Sequence, residues 1–186
     1  MAFCLGKATL TLSYDTGVIG GANLFIHNDI SPYTDTDKEL VTSLATLGAA
    51  FGALLGGPFA DNCGRKLAIF VGDFLFIAGS LILAFAGSVT VLIVGRLVIG
   101  LGVGIAAMVV PIYLSESAPS SVRGRIVTVN ILFIVLGQFL AYIICYLLHT
   151  NWRWMLGIAG IPAVIQGAGM LFMPESPRWL LKVDRG

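Results

Sequence analysis

Six apolar runs, each about as long as a membrane-spanning helix needs to be, divide this chain of 186 residues. They cover roughly residues 3–26, 39–60, 67–87, 89–113, 126–148 and 153–173. Short polar connections separate them, such as "AGSV" between the third and fourth and "TNW" between the fifth and sixth. In lipid every backbone amide must find a partner within its own segment, so runs of this length fold as helices. The expected fold class is an all-α integral membrane bundle of six transmembrane helices, with residues 174–186 as a tail. The first run is the weakest, because it carries Lys7 and Asp15.

Composition agrees. Hydrophobic residues make up 57% and charged residues 11%, against about 25% charged in ordinary soluble domains, and the mean hydropathy is +0.92. A soluble chain this apolar would expose large adhesive patches. A net charge of +1 argues against a nucleic-acid partner. Cys4, Cys63 and Cys145 are far apart and show neither metal-ligand nor disulfide spacing. His27 and His149 fall near the chain's outer loops and read as solvated. With no nucleophile–base set, metal cluster or phosphate loop, no enzyme activity, metal or cofactor is expected. The first residues lack a basic stretch followed by a cleavage site, so no cleaved signal peptide is expected.

Basic residues set the expected orientation. Lys7, Arg65, Lys66, Arg123, Arg125, Arg178, Lys182 and Arg185 fall on one side, and Lys38 and Arg153 on the other. This predicts cytoplasmic termini. It places Asp29, Asp35, Asp37 and Glu39 outside, and puts Trp152 and Trp154 at the outer interface as an aromatic anchor. Gly48, Gly52 and Gly56 recur every four residues in the second run, as Gly100 and Gly104 do in the fourth. Such stripes let helix backbones approach closely.

Asp15, Asp73 and Arg96 lie inside the spans, where ionisable residues are rare and usually face the bundle interior, pair, or mark a transport path. At 1.5 Å per residue Asp15 sits about 18 Å from the cytoplasmic edge, Arg96 about 20 Å and Gln138 about 18 Å. An acid, a base and an amide are thus expected in one layer near the midplane. An inert ion pair that fixes helix packing is one reading. The other is a coupling site: Arg96 cannot lose its proton, so Asp15 would be the group that binds and releases one, while Gln138 offers two donors and an acceptor to a hydroxyl-rich ligand. Asp73, six residues into its helix, suits a structural or gating role.

The loops add acid–base sets: "GGPFADNCGRK" (56–66), "PIYLSESAPSSVRGR" (111–125) and "PESPRWL" (174–180). Isolated surface pairs are worth about 0–1 kcal/mol, but a network at helix ends can latch helices together. With "YDTGVIGGA", "GRLVIGLGVG" and the "GQ" at 137–138, these motifs resemble the sugar porter family of the major facilitator superfamily over nearly the whole chain. The "GDFLF" and "NWRWMLGIAGIPAVIQ" segments are most similar to its proton/myo-inositol cotransporters. Leu12 and Ser13 depart from the family's Phe-Gly.

The resemblance implies a fold that is one half, the N-terminal half, of a major facilitator transporter, completed by a second six-helix half as partner. It implies Asp15 and Arg96 as the proton-coupling pair, with the proton as coupling ion, and Gln138 as a substrate contact. It implies Asp61, Arg65, Glu116, Arg123, Glu175 and Arg178 as a cytoplasmic salt-bridge network. The function it implies is symport of a sugar or polyol by alternating access, in the plasma membrane or an endomembrane such as the vacuole's. This half alone is expected to be inactive. The alternatives are a uniporter of the same family and a truncated membrane protein that transports nothing.

Overall fold

The computed structural model describes residues 10–11, 13–22, 26, 34–117, 123–148, 152–172, 175 and 179, with nothing said of the side chains of 117 and 123. Helix α1 is helical at 10–11 and 13–22. It is followed by α2 (Asp35–Cys63), α3 (Arg65–Ala84), α4 (Val89–Ser117), α5 (Arg123–Leu147), α6 (Trp152–Ile158) and α7 (Gly160–Leu171). Among the described residues the fold is all-α. Five segments are long and apolar enough to cross a membrane, α6 and α7 counting as one from Trp152 to Leu171.

The helix ends differ from the apolar runs for local reasons. α2 starts at Asp35 rather than near 39, because the Asp37 carboxylate accepts the Thr34 backbone N–H at 2.8 Å, and Asp35 and Asp37 sit in the positive first turn. α3 stops at Ala84, short of 87. α4 runs past 113 to Ser117 despite the internal Pro111, which puts Glu116 on a helix rather than in a loop. The sixth span is interrupted at Ala159, between α6 and α7. Pro162 has no N–H for the Ile158 carbonyl, and its ring crowds that carbonyl, so the ladder breaks four residues before the proline.

α4 is the central helix. In its most apolar stretch 56% of residues are buried, against 11% in α5. The glycine stripes explain its position. Gly48, Gly52 and Gly56 lie against the α4 backbone at Leu97, Leu101 and Ile105, while Gly100 and Gly104 receive the carbonyls of Ala45 and Ala49. A Cβ on Gly48 would stand 2.7 Å from the Leu97 carbonyl oxygen. On the other side of α4, Gly72 meets Gly102 and Gly79 meets Ile99, which docks α3. α1 is held by α5 through Gly17 against Ala141 and Gly21 against Cys145. Tyr14 ties α1 to α6: its hydroxyl donates to the Met155 carbonyl at 3.1 Å.

The expected pair of interfacial tryptophans is corrected in part. Trp154 is exposed, but Trp152 is fully buried beneath Arg153, whose guanidinium lies 4.9 Å over its ring. Arg153 also donates to the Ala86 carbonyl just past the end of α3, so the basic residue ties the start of α6 to the α3–α4 connection.

Candidate functional site

Asp15 projects from α1 and Arg96 from α4, and the two meet inside the bundle. Arg96 Nη1 donates to both carboxylate oxygens of Asp15 at 3.0 Å. The side chains are 1% and 8% exposed. One nitrogen serves both oxygens, unlike the parallel fork that arginine usually offers a carboxylate. Arg96 Nε and Nη2 are therefore left with no acceptor among the described residues. The expected equal depth of the two charges becomes a direct contact, because α1 and α4 pass each other at that level.

Gln138 meets α1 close to the level of Asp15 but on another side. Its Cγ lies by Gly17, two residues along α1 from Asp15 and so about 3 Å away along the axis. Two residues are also about 200° of rotation. Gln138 and Arg96 thus touch opposite faces of α1, and the amide of Gln138 donates to the Tyr142 hydroxyl at 3.2 Å. The expected three-residue layer is a pair on one face of α1 and an amide on the other.

A cavity of about 190 Å³ lies beside the pair, between α1, α2 and α4. Its polar lining comprises Asp15, Thr16, Thr42, Thr46 and Arg96, and Ile19, Ile99 and Val103 close its walls. The α2 threonines were missed in reading the sequence, although Thr42 and Thr46 stand four apart, one turn along the helix. A smaller cavity of about 10 Å³ holds Asp73 with Gln166 of α7 and Thr11. Asp73 Oδ2 and Gln166 Nε2 are buried there with no partner among the described residues. Asp73 therefore faces α7 in the interior, consistent with a structural role.

At the opposite end of α2 the loop residues assemble around Arg65. Its Nε and Nη2 donate to the two oxygens of Glu116 at 3.2 and 3.3 Å, and its Nη2 also lies 2.9 Å from Asp61. Its Nη1 donates to the Ala60 carbonyl at the end of α2. One guanidinium thus joins the ends of α2, α3 and α4. Glu175 enters in a form not anticipated: its carboxylate accepts the Lys66 backbone N–H at 2.9 Å, capping the N-terminus of α3. Gly64 precedes that helix and has no side chain to cap it, so the distant acid supplies the acceptor and meets the positive end of the helix. Lys66 Nζ donates to the Leu171 carbonyl at the end of α7. Arg178 and the side chain of Arg123 lie outside the described residues.

Among the described residues no group of acids, histidines or cysteines is placed to hold a metal. What the site can do is hold one carboxylate against one guanidinium, out of lipid and beside a cavity large enough for water.

The chain is 45% identical to Inositol transporter 4 of Arabidopsis thaliana over its whole length, covering 33% of that protein. It is 48% identical to the Proton myo-inositol cotransporter of Homo sapiens over 91% of this chain and 26% of that protein. The inward-open structure of the xylose transporter XylE from E. coli superposes with a TM-score of 0.89 at 27% identity, covering 97% of this chain and 48% of that one. The chain thus spans a quarter to a third of the length of the two inositol transporters, 26% and 33%. The family model described as "Sugar (and other) transporter" matches residues 1–186. On this match and its long apolar helices, the chain is a multi-pass membrane protein belonging to the sugar transporter family.

Proposed function

We propose that this chain is the N-terminal six-helix part of a proton-coupled sugar or polyol carrier, with myo-inositol as the first candidate substrate. The observation that carries the reading is the buried Asp15–Arg96 pair beside a cavity. An ionisable group at this depth marks an ion or substrate path far more often than it serves packing alone. The relatives named for inositol transport support the substrate class. In this reading Asp15 binds and releases the proton and Arg96 holds it in place. The proton is the coupling ion, with no other cofactor. Gln138 contacts substrate from the other side of α1, where α5 exposes Phe139 and Tyr142. The partner is a second six-helix half, since secondary transporters bind substrate between two repeats and rock one against the other. The Arg65 corner, with Asp61, Glu116, Glu175, Arg123 and Arg178, lies on the cytoplasmic side and holds the outward-facing state. The basic-residue bias supports that orientation and cytoplasmic termini. The plasma membrane is the preferred location.

The test is uptake of labelled myo-inositol and glucose, with external pH recorded. It uses cells expressing the chain alone and cells expressing it joined to a matching C-terminal half. The joined protein should take up myo-inositol with external alkalinisation, and the chain alone should take up neither. Uptake without alkalinisation selects a uniporter, and saturable uptake by the chain alone removes the need for a second half.

A further inference from the structure

The cavity beside the ion pair and a hollow at the surface share a lining residue. Thr42 lines both that cavity and an open hollow at the start of α2 bounded by Lys38, Glu39 and Ser43. Glu39, Thr42 and Thr46 are spaced three and four apart, so they share one face of α2. The face runs from the α2 N-terminus to the level of Asp15. At about 30 Å³ per liquid water, the 190 Å³ of the inner cavity has room for several waters. Arg96 lines it with two N–H donors that find no acceptor among the described residues, on a side chain 99% buried. Leaving charged donors unsatisfied is expensive, and water in this cavity would satisfy them. Thr16 and Thr46 supply hydroxyls that can both donate and accept. Gln138 is on the other side of α1 and is not among the lining residues.

We propose that this cavity is a hydrated vestibule through which protons reach Asp15 from the α2 N-terminal end, separate from the substrate surface at Gln138. The proposal rests on the proton-coupling reading above. A proton from hydronium at the mouth passes along waters held by Thr42, Thr46 and Thr16. It forms an O–H bond on the Asp15 carboxylate, and the donor returns to water. The charged groups lining this route are Lys38 and Glu39 at the mouth, with Asp35 held 2.7 Å from Lys38, and Asp15 and Arg96 at its inner end; Tyr14, next to Asp15 on α1, turns away to the Met155 carbonyl of α6.

Cysteine accessibility tests the water path, and proton flux tests its use. In sealed vesicles holding the 186-residue chain, Thr46→Cys and Leu47→Cys are treated with the membrane-impermeant reagent sulfonatoethyl methanethiosulfonate, against the unsubstituted chain as background. Leu47 is the adjacent, exposed apolar position. Thr46→Cys should react at least tenfold faster than Leu47→Cys, and only from the side bearing Lys38. In the joined carrier, Thr46→Val should slow substrate-driven alkalinisation at least threefold, and Thr46→Ser should restore it. An unreactive Thr46→Cys, or one modified only from the Arg65 side, overturns the vestibule. Reactivity with unchanged proton flux in Thr46→Val shows a wet cavity that is not the route, and also overturns it. Failure of the coupling reading itself is seen separately, as alkalinisation that persists in Asp15→Asn.

Discussion

Arg96 Nη1 sits 3.0 Å from both oxygens of Asp15, across 81 residues of sequence, with both side chains almost wholly out of solvent. Removing one member of such a pair strands the other charge in a low-dielectric interior, at a cost of about 3–5 kcal/mol. Arg96→Leu and Asp15→Leu should therefore each lower stability by about that amount, while the double variant loses much less than their sum. Thermal unfolding of the four proteins in one detergent, followed by tryptophan fluorescence, gives the coupling. Additive losses would mean that the two groups do not depend on each other.

The α2–α4 contact gives a second prediction with an internal control. A Cβ on Gly52 would be driven into the Leu101 backbone, whereas a Cβ on Gly20 meets nothing within 4 Å. Backbone cannot rotate away as a side chain can. Gly52→Ala should therefore cost about 1–3 kcal/mol, as overpacking does, and Gly20→Ala should stay within about 0.5 kcal/mol of the parent. Parallel melting curves check the contrast, and equal melting temperatures would contradict it.

How much of this was legible beforehand depends on which coordinate is asked for. Helical rise is fixed and bilayer thickness nearly so, which is why simple counting put Asp15, Arg96 and Gln138 at one depth. Which neighbour each face of a helix meets is set by packing, here by Gly17 against Ala141, and counting along one helix does not supply it. That is why Gln138 turned out to lie across α1 from the pair. The glycine stripes were readable because close approach leaves a periodic mark in composition. The break at Ala159 was readable too, from Pro162, but the apolar run through it masked the signal. The Glu175 cap was not readable, since it is a contact over 109 residues whose local sign is only the absence of a capping side chain at Gly64.

Asp73 and Gln166 give a third prediction. Oδ2 of one and Nε2 of the other are buried around the same small cavity. Asp73→Asn preserves shape and replaces a buried ionisable group with a neutral amide, so it should leave stability unchanged within about 0.5 kcal/mol or raise it. Gln166→Ala empties volume between α3 and α7 beside a polar group that stays buried, and should cost about 1–3 kcal/mol. A melting temperature that falls further in Asp73→Asn than in Gln166→Ala would show that the carboxyl group itself holds the helices.

Gly64 is where backbone conformation and side-chain chemistry constrain the same residue. It alone among the described residues has a positive φ, at 102° with ψ at 152°, a region closed to residues with a Cβ. A Cβ there would also stand 3.0 Å from Glu175 Oε2, the carboxylate that caps α3. Gly64→Ala should therefore impose backbone strain of about 1–3 kcal/mol and displace the cap as well. Glu175→Gln keeps an acceptor oxygen but loses the charge at the helix N-terminus, so it should cost only about 0.3–1 kcal/mol. Hydrogen exchange separates the two effects. The Lys66 amide should lose protection strongly in Gly64→Ala and weakly in Glu175→Gln, with the α4 interior protected in both. If Gly64→Ala left Lys66 as slow to exchange as in the parent, the cap would not depend on the glycine. The corner would then owe its order to the side-chain contacts of Arg65 with Asp61, Glu116 and the Ala60 carbonyl.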